Sequence, residues 1–251
     1  MNFIKNKVKN QVTRGLFISS GAEFAAELAA HAGFDHLILD MEHGMGDEGV
    51  VLQMIRSLNG SETAPIVRIP FLRNEYIKKT LDFGAAGIMC PMVETAQDAR
   101  ELVDFMRYPP EGRRGFAGNS HAAGYGADFE EYFARANANL LCAAQIETAR
   151  GVENVDAIAA VEGVDVLFIG HSDLSLSLGC FNNFADKKII EAELAVLTAA
   201  KKHGKVAGMM LRSGMNAQDY INRGFTFLIL GTDIGCLRSA YGKLLNKTIQ
   251  D

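Results

Sequence analysis

No CxxC pair occurs in this chain, and its four cysteines, Cys90, Cys142, Cys180 and Cys236, lie far apart without a histidine-rich partner segment. A disulfide framework and a thiolate zinc site therefore drop out, and buried free thiols in a reducing compartment fit instead. Positive charge is not in excess either. The net charge is −5, and Lys5, Lys7 and Lys9 alternate near the start with too few basic neighbours for a nucleic-acid arm. The opening MNFIKNKVKNQV lacks the apolar segment of a signal peptide. Apolar runs are strand-sized, short of the ~18–20 residues a membrane helix needs. These absences lead to the expectation of a cytoplasmic protein with neither nucleic acid nor membrane as partner. Glycine-rich nucleotide loops are missing as well. Neither GxGxxG nor GxxxxGK[ST] occurs, which weakens the competing expectation of a doubly wound open sheet.

What is present is an ordinary globular composition, 48% apolar and 22% charged over 251 residues. One α/β barrel can use that length as a single domain, residues 1–251. Eight apolar runs close on polar residues: GLFIS (15–19), HLILDME (36–42), PIVRIP (65–70), GIMCPMV (87–93), LLCAAQIE (140–147), VLFIGHSD (166–173), VAGMML (206–211) and FTFLILGTD (225–233). Continuous rather than alternating runs suit parallel strands covered on both faces. Helical patterns lie between them, at Ala22–Ala32, Gly49–Leu58, Asn74–Phe83, Thr95–Met106, Gly151–Val161, Ile189–His203 and Ala217–Asn222. Gly33, Gly84, Gly163, Gly204 and Gly224 stand where helices should stop before the next strand. Eight such units predict a (β/α)8 TIM barrel. Residues 107–139 break the rhythm: Pro109-Pro110 and five glycines between Gly112 and Gly126 make a loop, and Phe129–Asn137 a helix. So long a connection is either a rim of the active site or a solvated excursion.

In such a barrel the loops after the strands converge on one mouth, so the residues that close the strands matter most. The second run ends in Asp40-Met41-Glu42-His43, the third contains Arg68, the fifth ends in Gln145-Ile146-Glu147 and the sixth in Ser172-Asp173. Glu147 and Asp173 offer hard oxygen ligands that suit Mg2+ or Mn2+, leaving room for waters and a chelating 2-oxo acid. Such a cation polarises the keto group and stabilises the enolate formed when a C3 proton leaves. Taken singly, each acid reads equally well as a helix cap or a surface ion pair. An imidazole can move a proton near neutral pH, and His43 has Asp40 and Glu42 beside it to orient the ring, so it is the candidate base. Of the other histidines only His171, next to Asp173, is placed near the mouth. Arg68 interrupts an apolar strand and needs an anion, either a substrate oxygen or a structural partner such as Glu42 or Glu147. Lys78 and Lys79 fall on a helix, so no lysine is placed for imine chemistry. Gly231-Thr232-Asp233-Ile234-Gly235 and Arg212-Ser213-Gly214 follow the last two strands, where many barrels bind phosphate; turn chemistry explains their glycines equally well.

The segments LILDMEHG, PIVRIP, GIMCPMV, RYPPEGRRG, AAQIET and VLFIGHSDLS, in this order and spacing, resemble the HpcH/HpaI aldolase family from about Gly15 to the C-terminal helix. The resemblance implies a class II aldolase (an aldehyde-lyase) that uses Mg2+, Mn2+ or Co2+ and cleaves a 4-hydroxy-2-oxo acid to pyruvate and an aldehyde. By motif, Glu147 and Asp173 correspond to the metal ligands, His43 supported by Asp40 to the acid/base, and Arg68 to the residue on the keto oxygen. Gln145 and Ser172 would line the pyruvate pocket, and Asp82 would join from a neighbouring subunit. It further implies a homohexamer, a trimer of dimers that exchange C-terminal helices, here Ile234–Leu245. The chain departs from the family pattern at His171, usually Pro, at Gly44-Met45, usually Ala-Pro, and at Phe17, usually Trp. Two other readings remain: decarboxylation of oxaloacetate-like acids, and a non-catalytic barrel that binds a 2-oxo acid, which would have no need of His43.

Overall fold

The structure, a computed structural model, describes residues 4–212 and 214–247. Eight strands run parallel: β1 (Thr13–Ile18), β2 (His36–Asp40), β3 (Ala64–Arg68), β4 (Gly87–Cys90), β5 (Leu141–Ile146), β6 (Val166–Ile169), β7 (Val206–Met210) and β8 (Phe225–Thr232). They close in sequence order, with β1 paired to both β2 and β8. The predicted (β/α)8 barrel is the observed fold. Its helices are α1 (Ile4–Asn10), α2 (Glu23–His31), α3 (Glu48–Ser57), α4 (Asn74–Asp82), α5 (Ala96–Met106), α6 (Phe129–Asn139), α7 (Ala149–Glu153), α8 (Val155–Ala159), α9 (His171–Ser177), α10 (Lys187–Lys202), α11 (Ala217–Arg223) and α12 (Asp233–Lys247).

The continuous apolar runs are explained by two cores. Phe17, Ile38, Ile66, Met89, Ala143, Phe168 and Phe227 fill the barrel. Their neighbours in sequence, among them Leu16, Leu37, Leu39, Val67 and Ile88, pack outward beneath the helices. Because alternate residues of a strand share a face, the inward face continues past the core onto chemistry. Two residues beyond Ile38, Ile66 and Ala143 stand Asp40, Arg68 and Gln145. The five glycines expected to stop helices all take left-handed φ, from +62° at Gly204 to +113° at Gly224, a conformation that glycine enters without steric cost.

Four departures from the sequence expectations have local causes. Helix α1 was not expected. It closes the lower end of the barrel with Ile4 and Val8, which join the inner core. The alternating lysines fasten it: Lys5 pairs with Asp165 at 3.2 Å, Lys9 with Asp165 at 3.9 Å and Lys7 with Asp35 at 2.5 Å. The run 166–173 is not all strand. It stops at Ile169, and Gly170 opens α9, so Ser172 and Asp173 lie in the first turn of a helix. The single helix expected over Gly151–Val161 divides into α7 and α8 at Asn154, whose side chain donates to the Glu94 carbonyl at 2.9 Å. The connection 107–139 is neither a rim of this chain's own mouth nor a mere solvated excursion. None of its residues lines the mouth pocket. It is anchored on α4 by Arg114, which is buried between Tyr108 and Tyr132 and donates to Asp82 at 2.6 Å. Among the described residues no helix is long and apolar enough to cross a membrane.

Candidate active site

A pocket of about 340 Å3 opens at the C-terminal ends of the strands. It collects Asp40, His43, Arg68, Gln145, Glu147, Ser172 and Asp173, all but one of the residues to which the family resemblance gives a role. The exception is Asp82. It ends α4 on the outside of the barrel, where it takes the Arg114 guanidinium.

On the β2–β3 wall, Asp40 is the hub. Its carboxylate accepts from Arg68 Nε at 2.9 Å and Arg68 Nη2 at 2.8 Å, from Ser19 Oγ at 3.2 Å, and from the backbone N–H groups of Glu42 and His43 at 3.1 and 3.3 Å. Burial on its own raises the Asp40 pKa, but the bonds from Arg68 and from the His43 and Glu42 backbone bring it below the ordinary value. Arg68 also meets Glu42 at 3.0 Å and lies over the Phe17 ring at 4.7 Å. The anion required by Arg68 is therefore Asp40 first and Glu42 second; Glu147 is not an ion-pair partner. Asp40 supports His43 through the backbone rather than by orienting the ring. Among the described residues the exposed ring has Glu42 as its charged neighbour, at 3.9 Å. The turn closes tightly: a Cβ on Gly44 would stand 2.1 Å from the Asp40 carbonyl oxygen. Glycine at 44 therefore lets the chain pass close against the Asp40 carbonyl in the turn that presents His43.

Glu147 follows β5 and is buried. It accepts from the Met92 backbone N–H at 2.7 Å, a group presented by the left-handed Met92 backbone (φ 53°), and from the Gln145 side chain. Burial above all pushes its carboxyl up to about 7, and the charges of Glu42 and Asp173 add to the rise. Burial likewise raises Glu42, with Asp40 and Asp173 contributing. Glu42, Glu147 and Asp173 are thus near enough to repel one another, which a hard divalent cation would relieve. Among the described residues no three His, Cys, Asp or Glu side chains converge as a closed metal cage. The donor set suits a cation held by two carboxylates and completed from outside. Gly170 leaves room for the Glu147 carboxylate itself: a Cβ there would stand 2.4 Å from Glu147 Oε2. Nothing in the sequence pattern marked Gly170 beyond its place at the end of an apolar run.

Across the mouth, His171 lines the pocket and is buried, with Nε2 2.8 Å from Glu193. Glu193 in turn takes Arg223. Arg212 enters the pocket after β7 and donates to Ser172 Oγ at 2.9 Å. Of the Arg212-Ser213-Gly214 segment, Ser213 lies outside the described residues. In the segment 231–235 the Asp233 carboxylate accepts from the backbone of Ser19 at 3.0 Å, of Ser20 at 3.2 Å and of Ile234 at 2.8 Å. It therefore stitches β1 to α12 rather than presenting a phosphate cradle. Phe17 and Phe168, which floor the pocket, were missed as site residues. Counting alternate residues back from the polar strand ends would have found them.

The chain is similar in sequence and fold to known proteins. A model of the HpcH/HpaI aldolase/citrate lyase family matches residues 13–240. A 5-keto-4-deoxy-D-glucarate aldolase of Shigella boydii serotype 18 is 39% identical over 234 residues, covering 93% of this chain and 91% of the relative. A solved HpcH/HpaI aldolase/citrate lyase family protein from Burkholderia cenocepacia J2315 superposes with a TM-score of 0.94 at 34% identity, covering 99% of each chain. The HpcH/HpaI aldolase from Desulfitobacterium hafniense DCB-2 gives 0.90 at 27% identity, over 100% of this chain and 98% of that one.

Proposed function

The chain belongs to the HpcH/HpaI aldolase/citrate lyase family and is a carbon–carbon lyase of hydroxy-oxo acids, and from that premise we propose that its mouth pocket reversibly cleaves a 4-hydroxy-2-oxo acid into pyruvate and an aldehyde. The observation that carries the reading is the Asp40–Arg68–Glu42 network, which fixes the Arg68 guanidinium in the same pocket as an exposed histidine and a buried, charge-strained carboxylate. In this reading Glu147 and Asp173 hold a divalent cation, Mg2+, Mn2+ or Co2+. When bound, the cation supplies Lewis-acid polarisation of the keto oxygen.

The remaining work falls to side chains. Arg68, immobilised by Asp40 and Glu42, donates to the keto oxygen, where negative charge grows as the C3–C4 bond breaks. His43 takes the proton of the 4-hydroxyl, and the electron pair of C3–C4 passes into the pyruvate half. A proton returned to C3 completes pyruvate. The exposure of the ring lets it exchange that proton with water. Gln145 and Ser172 orient the pyruvate carboxylate. Phe17 and Phe168 floor the pocket and keep water from beneath the reacting carbons.

A homo-oligomer belongs to the same reading. Helix α12 exposes Ile234, Leu237 and Tyr241, an apolar face suited to a second copy. Asp82 would serve the mouth of a neighbouring subunit, held in place by Arg114. Incubating the protein with pyruvate and Mn2+ in D2O tests the enolate-forming half directly. Deuterium should enter the methyl group and stop entering when EDTA is added. Full exchange without metal would overturn the reading.

A further inference from the structure

Two arginines reach the pocket, and they are held differently. Arg68 ends β3 and Arg212 follows β7, four strands apart in a closed ring of eight. Arg68 is saturated: Nε and Nη2 serve Asp40 and Nη1 serves Glu42. Among the described residues Arg212 has no acid. Its one side-chain hydrogen bond there runs from Nη2 to Ser172 Oγ at 2.9 Å. Its Nε is buried without an acceptor, so a ligand completes the group only from its Nη edge.

Ser172 is the other half of the arrangement. It is exposed and lines the pocket, and its hydroxyl oxygen is taken by Arg212. A hydroxyl has one proton to give. With a cation on the oxygen that proton is the stronger donor, and no described residue accepts it. The arginine is held in place from behind. Its guanidinium carbon lies 3.5 Å from the centre of the Phe184 ring. Phe184 packs edge-on against the His171 ring at 6.4 Å, and His171 is fixed by Glu193 at 2.8 Å. A cation so ordered, partly desolvated and short of an anion is preorganised for one that arrives with a ligand.

We propose that Arg212 and Ser172 clamp the carboxylate of the 2-oxo acid, the guanidinium supplying the positive charge and fixing the serine hydroxyl that donates to the carboxylate. The assignment rests on the aldolase reading for the place of the keto acid, and it adds a residue to which the family resemblance gives no role. Arg68 is not free for this task, because Asp40 and Glu42 already answer its charge. Asp40, Glu147 and Asp173 share the pocket, so an anion enters against negative charge that a cation without an acid offsets. The role of His171, which stands where the family has proline, follows: it braces the Phe184 platform under Arg212.

Calorimetry on the Mn2+-loaded protein tests this with pyruvate and pyruvamide, which share the keto group and differ in charge. Arg212→Ala should weaken pyruvate binding about 10- to 100-fold, the range of one charge-assisted contact, and pyruvamide binding less than about threefold. Arg212→Lys should recover part of the loss, since it keeps the charge without the planar fork. In pyruvate deuterium exchange Arg212→Ala should raise KM by a similar factor and change kcat less than about threefold, a split that general damage to the pocket would not produce. Unchanged pyruvate affinity in Arg212→Ala, or equal losses for the two ligands, overturns the assignment. The two measurements also separate the two readings. Exchange with a charge-independent loss sinks only the role of Arg212; a charge-dependent loss without exchange sinks only the aldolase reading. A wild-type protein that binds neither ligand overturns both.

Discussion

The two walls of the mouth hold their arginines in opposite ways. On the β2–β3 wall every charge is answered from within the chain, Arg68 by Asp40 and Glu42. On the β6–β7 wall Arg212 rests on an aromatic ring and a hydroxyl. A cation paired internally keeps the same position whatever is bound, which is what charge stabilisation at a reacting oxygen requires. A cation left without an acid is completed by its ligand and so discriminates among ligands. The paired wall suits charge stabilisation at the reacting oxygen, and the open wall suits completion by an anion that arrives with the ligand.

The largest effect that would break this contrast is on catalysis. His43→Asn should slow pyruvate deuterium exchange by about 10^2- to 10^4-fold, with little change in melting temperature because the ring is exposed. Exchange near the wild-type rate would remove His43 from the mechanism. Next comes the paired wall itself. Asp40→Ala strands the largely buried Arg68 and releases the 42–43 turn, so denaturant unfolding should show a loss of about 3 kcal/mol. A loss below about 1 kcal/mol would mean that Glu42 alone suffices.

A third test sets the walls against each other through pH. Asp40 lies below its ordinary value of 3.8, so its contribution to stability is present above that value and fades as pH falls through the lowered one. Glu147 is raised from 4.5 to about 7. Its neutral form favours the fold, so that contribution is full below pH 4.5 and is lost as pH rises towards 7. The metal-free protein should therefore lose stability across that window, and Mn2+ should restore most of it above pH 7. Thermal melts that are flat with pH in metal-free buffer would contradict the charge strain assigned to Glu147. The smallest expected effect sharpens the open wall. Phe184→Ala removes the ring under Arg212, the hydrogen-bond donor to Ser172, and affinity for pyruvate should fall about three- to tenfold by calorimetry, the scale of a cation–π contact.

The barrel was legible because its signals are local and repeated: eight apolar runs, and five glycines that end helices in the left-handed region. Most of the site was legible because strand ends converge in this architecture. Other features were not. The sequence places Asp40 beside His43, and it does so in space too, but only the structure shows Asp40 gripping Arg68, 28 positions away. Ser172 and Asp173 were read into a strand because the apolar run continues through Gly170 without a break in composition. Arg212 carried too little pattern to be separated from turn residues, since its meaning depends on Phe184 and on the acids it lacks. Helix α1 escaped because two apolar residues in seven make a weak periodicity, although its lysines were visible.

The α1 plug also sets an order of assembly. The Lys5 ammonium donates to the Leu140 carbonyl, 135 positions away, and pairs with Asp165 before β6. Helix α1 is synthesised well before either partner, and it stays unseated until β5 and the turn into β6 have formed. The last part of the floor to settle is thus one of the first to be made, and the inner apolar core remains open from below until then. Contacts of such sequence separation are slow to close, so an early half-barrel is the form of this chain most exposed to misassociation.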